Sequence, residues 1–162
     1  MNLIAVVDSN WGIGCHGGLL VNLPKDMAYF KEKTLNKIVV MGSKTVETFP
    51  NKTPLVNRIN IVLTSRTEGF HEDFLLYHSI DSLIAALKVY PSEDIFIIGG
   101  ESIYTQLLPY CHRAFITKID GFYEADRHFP SLDKMSEWSL VESIPFMDNN
   151  IHCSFCQYDK IK

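Results

Sequence analysis

Asp94-Ile95-Phe96-Ile97-Ile98-Gly99-Gly100-Glu101-Ser102-Ile103-Tyr104 is the stretch on which the fold turns. Ile95 to Ile98 form an unbroken apolar run with no polar alternation, which reads as a strand buried on both faces. Gly99-Gly100 then turns the chain into a helix over about 101–108, stopped by Pro109. A buried strand feeding a helix is the unit of an α/β protein. The unit recurs outward in both directions. Upstream lie a strand over 2–8, a Gly-rich loop over 9–23, a helix over 25–34, and a short strand over 37–41. A helix over 43–49 follows, stopping before Pro50, then a strand over 58–63 and a short one over 73–76. Ser79 caps a further helix, in which Leu83, Ile84 and Leu87 recur at helical spacing. Downstream come a strand over 112–119 and two strands over 136–144 and 151–159, joined by Asp148-Asn149-Asn150. Strand–helix alternation ending in a hairpin predicts an α/β fold whose sheet is mixed, mostly parallel, with an antiparallel C-terminal edge.

A chain of 162 residues is the size of a single domain and buries about two thirds of its unfolded surface. Its net charge of −4 argues against a general nucleic-acid surface, so anionic ligands must be held by a few placed cations. No apolar run has the length of a membrane span, and the first residues form a strand without a signal pattern. The expected location is cytoplasmic. Cys153-x-x-Cys156 stands without a second such pair, and Cys15 and Cys111 lie far away in sequence. No metal is expected, and the cysteines are read as reduced thiols.

The chemistry gathers in six places. Asn22-Leu23-Pro24-Lys25-Asp26-Met27-Ala28-Tyr29-Phe30-Lys31 sets a carboxylate, Asp26, in the first turn of a helix, with Met27 and Phe30 near the same face. An acid among apolar neighbours resists ionising and is suited to proton handling; an ordinary helix-start Asp has the same sequence. Gly99-Gly100 either cradles a phosphate or simply makes a tight turn, and the G-x-G-x-x-G fingerprint is absent. Ser43, Lys44 and Thr45 after Met41-Gly42 form a second candidate anion site; Thr64, Ser65 and Arg66 end the strand that starts at Arg58. Thr117 is a lone hydroxyl in an apolar strand. Arg58 has the fork geometry that grips a carboxylate, though a solvated surface arginine is the plain alternative.

These segments, in this order, resemble dihydrofolate reductase from residue 3 to about 158. The carrying motifs are Leu3–Asp8, Trp11-Gly12-Ile13-Gly14, the Asn22–Lys31 stretch, Val39–Gly42, Arg58–Ser65, Ile97–Tyr104, Thr117–Asp120 and Asp126–Pro130. The resemblance implies a central sheet of about eight strands flanked by four helices. It implies hydride transfer from NADPH to C6 of dihydrofolate with a proton added at N5. By resemblance, Asp26, Thr117 and Tyr104 are the catalytic group. Ile4, Ala5, Val6, Met27, Phe30, Leu55, Arg58 and Ile98 would complete the substrate pocket, with Arg58 on the glutamate tail.

The cofactor set implied by resemblance runs from Ala5, Ile13, Gly14, Gly18 and Leu19 through Gly42, Ser43, Lys44 and Thr45. It continues through Leu63, Thr64, Ser65 and Arg66 to Ile98, Gly99, Gly100, Glu101, Ser102, Ile103 and Tyr104. The Gly99–Gly100 bond is expected to be cis, and the loop over 9–23 to close over the nicotinamide. The implied partners are dihydrofolate and antifolate-like small molecules, with no nucleic acid or membrane, and the implied state is monomeric. Two departures stand out. Relatives usually carry Pro-Trp where this chain has Leu20-Val21, and the Val21 side chain has no donor to anchor a water. Many carry arginine at Ser43, which leaves Lys44 and Arg66 to supply charge. A same-fold pteridine or pyrimidine reductase of the riboflavin type, and a non-catalytic dinucleotide-binding protein, are the rival readings.

Overall fold

The computed structural model describes residues 1–14 and 20–161. Its principal sheet has eight strands in the order β5-β4-β3-β6-β1-β7-β10-β9. The strands are β1 (Asn2–Val7), β3 (Ile38–Gly42), β4 (Ile59–Leu63), β5 (Phe74–Tyr77), β6 (Ile95–Gly99), β7 (Arg113–Ile119), β9 (Trp138–Asp148) and β10 (Ile151–Lys160). Pairings from β5 across to β7 are all parallel, and β10 runs antiparallel to both β7 and β9. The helices are α1 (Pro24–Thr34), α2 (Ser43–Val46), α3 (Ile80–Leu87) and α4 (Glu101–Leu107). The mixed sheet, antiparallel hairpin and four helices match the expected architecture.

Alternation along the strands builds a core on each face of the sheet. Leu3, Ala5 and Val7 of β1 join Ile95 and Ile97 of β6 in one cluster, covered by Leu83 and Leu87 of α3 and Ile103 and Leu107 of α4. Ile4 and Phe96 point the other way and meet Val39, Met41, Val62 and Phe115, with Tyr29 and Phe30 of α1 packed over them. Strands sandwiched in this way are apolar at every position, which explains the unbroken run in β6.

Three boundaries differ from the sequence reading. The helix expected over 43–49 ends at Val46. Phe49 is extended (φ −77°, ψ 144°), as a residue before proline prefers, and Pro50 opens a separate short turn of helix over Pro50–Lys52. β9 continues through Pro145 to Asp148 instead of stopping at 144. It is the sheet's edge strand, where a missing N–H costs no ladder bond. The loop over 9–23 contains a short strand, β2 (Gly12–Gly14), which pairs antiparallel with β8 (Arg127–His128). Segments of three and two residues carry too little pattern to be read from sequence.

The fold brings the candidate residues to one end. Val6, Met41-Gly42, Leu63 and Ile98-Gly99 all lie toward the carboxyl ends of parallel strands, where ligands bind in open α/β sheets.

Candidate active site

Asp26 enters the site from the first turn of α1 and is 9% exposed. The Thr117 hydroxyl, from the middle of β7, donates to Asp26 Oδ1 at 2.6 Å. Burial holds the Asp26 carboxyl above the usual carboxylate range; the Thr117 bond works against this and the nearby Asp148 carboxylate adds to it. Thr117 stands in register beside Val6 of β1. The acid thus faces a small cavity of about 20 Å³, walled by Val6, Ile13, Val21 and Leu23. Val21 lines it with hydrocarbon where the resemblance calls for an indole. Met27 stands at the rim of this cavity and is exposed, while Phe30 and Leu55 pack half-buried on the neighbouring core.

Val6 and Ile13 also wall a second cavity of about 120 Å³, lined by Ala5, Ile98, Gly99 and Gly100. The Gly99–Gly100 peptide bond is cis, as expected. Gly99 has φ +137°, where only glycine is comfortable, and a Cβ there would lie 3.1 Å from Thr45 Oγ1. Gly42 opens α2 at an ordinary φ, but a Cβ on it would meet Ile103 Cγ1 at 2.9 Å. Glycine at 99 therefore spares the cavity a side chain beside Thr45, and glycine at 42 permits close packing of α2 on Ile103. Gly14 belongs to β2, and its carbonyl accepts from the Asp126 N–H at 2.9 Å. Gly18 and Leu19 lie outside the described residues.

Several residues of the implied cofactor set also have partners within the fold, and two of these, Glu101 and Tyr104, line the glycine cavity. Ile103 is a core residue behind Gly42. Tyr104 is 4% exposed and its hydroxyl donates to the Ile4 carbonyl at 2.6 Å. Burial and the Asp26 charge push that phenol far above its ordinary pKa. Glu101 turns toward β8, where its carboxylate accepts the His128 N–H. Ser102 and Lys44 are exposed, and Ser43, Thr45, Leu63 and Thr64 half-buried. Arg66 lies over the Phe70 ring at 4.7 Å and 3.6 Å from Glu47, while the Thr64 hydroxyl accepts from the Arg66 N–H.

Arg58 lies just before β4. Its Nε donates to Thr34 Oγ1 at 3.2 Å and its Nη1 to the Val56 carbonyl at 3.0 Å. The loop carrying it is stapled by Asn60, a buried amide that accepts from the Leu55 N–H and donates to the Leu55 and Arg58 carbonyls. Asn60 had a legible signal, being a polar residue inside the apolar strand Ile59–Leu63, and such a residue must find partners. Arg127 lines the glycine cavity from β8 and was not singled out either. Its signal was a cation next to Gly14 in the fold, which only the β2–β8 pairing reveals.

A larger cavity of about 750 Å³ lies against Asp8, Trp11, Lys118 and His152. Three of its charged groups already serve the fold: Lys118 pairs with Asp133 at 2.6 Å, and Asp8 accepts the N–H groups of Asn10, Gly12 and Tyr123.

A buried acid and a glycine-lined cleft, separated by two side chains at the open end of a mostly parallel sheet, define an α/β enzyme that brings two small molecules together. The family model for dihydrofolate reductase matches residues 1–160. The chain belongs to the dihydrofolate reductase family. It is 38% identical over 143 residues to the dihydrofolate reductase of Bacillus subtilis, covering 88% of this chain and 82% of that one. With the Heliothis virescens enzyme the identity is 36%, covering 99% and 97%. Among solved structures, dihydrofolate reductase from Enterococcus faecalis, complexed with NADP(H) and RAB-propyl, superposes with a TM-score of 0.88 at 32% identity. That match covers 99% of this chain and 96% of the other.

Proposed function

We propose that this chain reduces 7,8-dihydrofolate to 5,6,7,8-tetrahydrofolate with NADPH, using Asp26 as the acid of the pterin pocket. The observation that carries the residue assignments is the shared wall: Val6 and Ile13 line both the cavity at Asp26 and the cavity at Gly99-Gly100. A ring held by Asp26 and a ring held at Gly99-Gly100 would both pack on Val6 and Ile13 and so lie side by side.

The glycine cleft suits close approach of a cofactor, because Gly99 leaves open beside Thr45 the space that a Cβ would take, while Gly42 lets α2 pack tightly against Ile103 of α4. NADPH, when bound, supplies the hydride delivered to C6. In this reading Gly99, Gly100 and Thr45 hold the pyrophosphate, and Ser43, Lys44, Thr64, Ser65 and Arg66 hold the adenosine 2′-phosphate. Ala5, Ile13 and Gly14 flank the nicotinamide. Tyr104 positions this side through its bond to the Ile4 carbonyl; a phenol so buried and so bonded keeps its proton.

Asp26 and Thr117 hold the 2-amino group and N3 of the pterin, and Met27, Phe30, Leu55 and Ile98 enclose the rings. Arg58, anchored on Thr34 and Val56, offers its guanidinium to the α-carboxylate of the glutamate tail. With Asp26 on the amino edge of the ring, the N5 proton comes through water or a tautomer, and Asp26 sets the field that favours its arrival. The orientation of two reactants in adjoining cavities does the remaining work.

No helix of the described residues is long and apolar enough to cross a membrane. Cys111, Cys153 and Cys156 are buried free thiols, which supports a reducing, cytoplasmic setting. A net charge of −4 supports small-molecule partners and no nucleic acid. A monomer is supported by the sheet edges: β5 is four residues long, and β9 carries Pro145 and a register shift against β10. The deciding experiment follows reduced-nicotinamide absorbance with NADPH and dihydrofolate, then repeats it with NADH. Folate-dependent oxidation, faster with NADPH, is the expected result. Oxidation that proceeds without folate would overturn the reading.

A further inference from the structure

α1 starts without a local cap. Leu23 occupies the capping position, where Ser, Thr, Asp or Asn would normally accept a backbone N–H. Leu23 is not free to be polar: it is 3% exposed and packs with Ile119 and Cys153. Pro24 brings no N–H, so the first donors needing partners belong to Lys25 and Asp26. Both are satisfied from the far end of the sequence. Asp148, the last residue of β9, accepts from the Lys25 N–H at 2.7 Å and from the Asp26 N–H at 3.3 Å, both through Oδ2. Two further bonds clamp the same junction: Lys25 Nζ donates to the Met147 carbonyl at 2.8 Å, and Asn149 Nδ2 to the Asn22 carbonyl at 2.9 Å. Asn149 and Asn150, both at positive φ, make the tight turn that holds Asp148 in place.

We propose that Asp148 is a positioning residue for the reduction: it caps α1 through the backbone N–H of Asp26 and so fixes where that acid enters the pterin pocket. This rests on the reading of Asp26 given above. Asp148 is 4% exposed, so its carboxylate is a buried negative charge beside a second buried acid. That charge adds to burial in favouring the protonated form of Asp26, and Thr117 of β7 opposes it. The other titratable groups that feel Asp26 are Tyr29 on α1, Tyr104 on α4 and Cys153 on β10. Their own protons are held more tightly by burial first and then by carboxylate charge, from Asp26 at the two tyrosines and from Asp148 ahead of Asp26 at Cys153. Asp148 alone among these carries both a bond to the Asp26 backbone and a like charge. A cap elsewhere in the fold, such as Ser79 on α3, could not be felt at the acid.

The test uses two variants of the full chain. Asp148→Asn keeps an acceptor oxygen and removes the charge; Asp148→Ala removes both. The Asp26 side-chain carboxyl is titrated by ¹³C NMR, assigned by its absence in Asp26→Asn, and kcat/KM for dihydrofolate is measured alongside. In Asp148→Asn the Asp26 midpoint moves down. In Asp148→Ala kcat/KM falls by about tenfold to a hundredfold through misplacement of the acid, and Asn restores part of it. Affinity for NADPH stays within about twofold, because the cap lies on the pterin side. An Asp26 midpoint unmoved in both variants, or full kcat/KM in Asp148→Ala, would overturn the proposal. Full turnover in Asp26→Asn would instead remove the Asp26 assignment itself, a separate failure.

Discussion

Asp26 is held against its own stability interest. Its carboxyl is raised above the ordinary value by burial first, with Thr117 pulling it back and Asp148 pushing it up. A carboxyl that binds its proton more tightly when folded stabilises the fold below its unfolded pKa, and that contribution is lost as pH rises through the folded value. Replacing it should therefore help the fold where it hurts the reaction. Asp26→Asn is expected to cut dihydrofolate turnover by orders of magnitude while NADPH still binds. The same variant should be about 1 kcal/mol more stable than the parent at pH 8, with the gain shrinking toward pH 4. Thermal unfolding across that range checks the sign, and an equal gain at both ends would show that the buried charge is not at Asp26. Arg58 makes a different claim at the same scale. Its Nε and Nη1 are already tied to Thr34 and Val56, so its fork is oriented before any ligand arrives. Arg58→Ala should raise KM for substrate with a glutamate tail by about tenfold or more, from loss of a charge-assisted pair, and leave binding of a bare pterin nearly unchanged. Equal losses for both ligands would place Arg58 outside the tail site.

At the scale of elements, the junction of β3, α2, β6 and α4 is set by contacts that a single methyl would break. Gly42 lies in an ordinary backbone region (φ −94°), so alanine there is conformationally free, yet its Cβ would press on Ile103 of α4. Ile103 is wedged in the core and cannot retreat without moving its helix. Gly42→Ala should therefore spread α2 from α4 at the cofactor cleft. The overpacking costs about 1–3 kcal/mol of fold stability, and the distorted cleft lowers NADPH affinity while dihydrofolate affinity is less affected. Fluorescence titration with each ligand separates the two, and equal weakening would point to general destabilisation. The sequence disclosed these elements well where pattern is dense. The apolar run of β6, the Ser79 cap and the spacing of Leu83, Ile84 and Leu87 are local signals, and the Ser79 hydroxyl does accept from the Ser82 N–H. It failed where the determinant is not local. The length of β9 is set by its place at the sheet's edge, which no residue in β9 announces by itself; the end of α2, by contrast, had a local cue in Phe49 preceding Pro50.

The site becomes visible only at the scale of the whole molecule. Asp26 and Thr117 are 91 residues apart, and neither is distinctive alone. Their pairing was legible because an ordered series of weak motifs resembled a known family, not because any one of them demanded it. Asp148 and Arg127 stayed hidden because each acts through a partner brought in by a distant segment or by sheet pairing, whereas Asn60 works on its own neighbours and could have been read from the sequence. The same dependence predicts how the fold responds to its cofactor. The glycine cleft draws on β1, β2, β6, β8, α2 and α4, so a molecule seated there ties together elements from both core clusters. NADPH at a hundred times its dissociation constant should stabilise the native state by about 2.7 kcal/mol. For a chain of this length that is a rise of about 5–11 °C in Tm. NADH at the same concentration lacks the 2′-phosphate that Ser43, Lys44, Thr64, Ser65 and Arg66 would hold; with tenfold weaker binding its gain is about half as large. Differential scanning fluorimetry at matched concentrations reads the difference directly. Equal shifts would mean that the residues around Arg66 do not recognise the phosphate, and no shift with either would separate the glycine cleft from dinucleotide binding altogether.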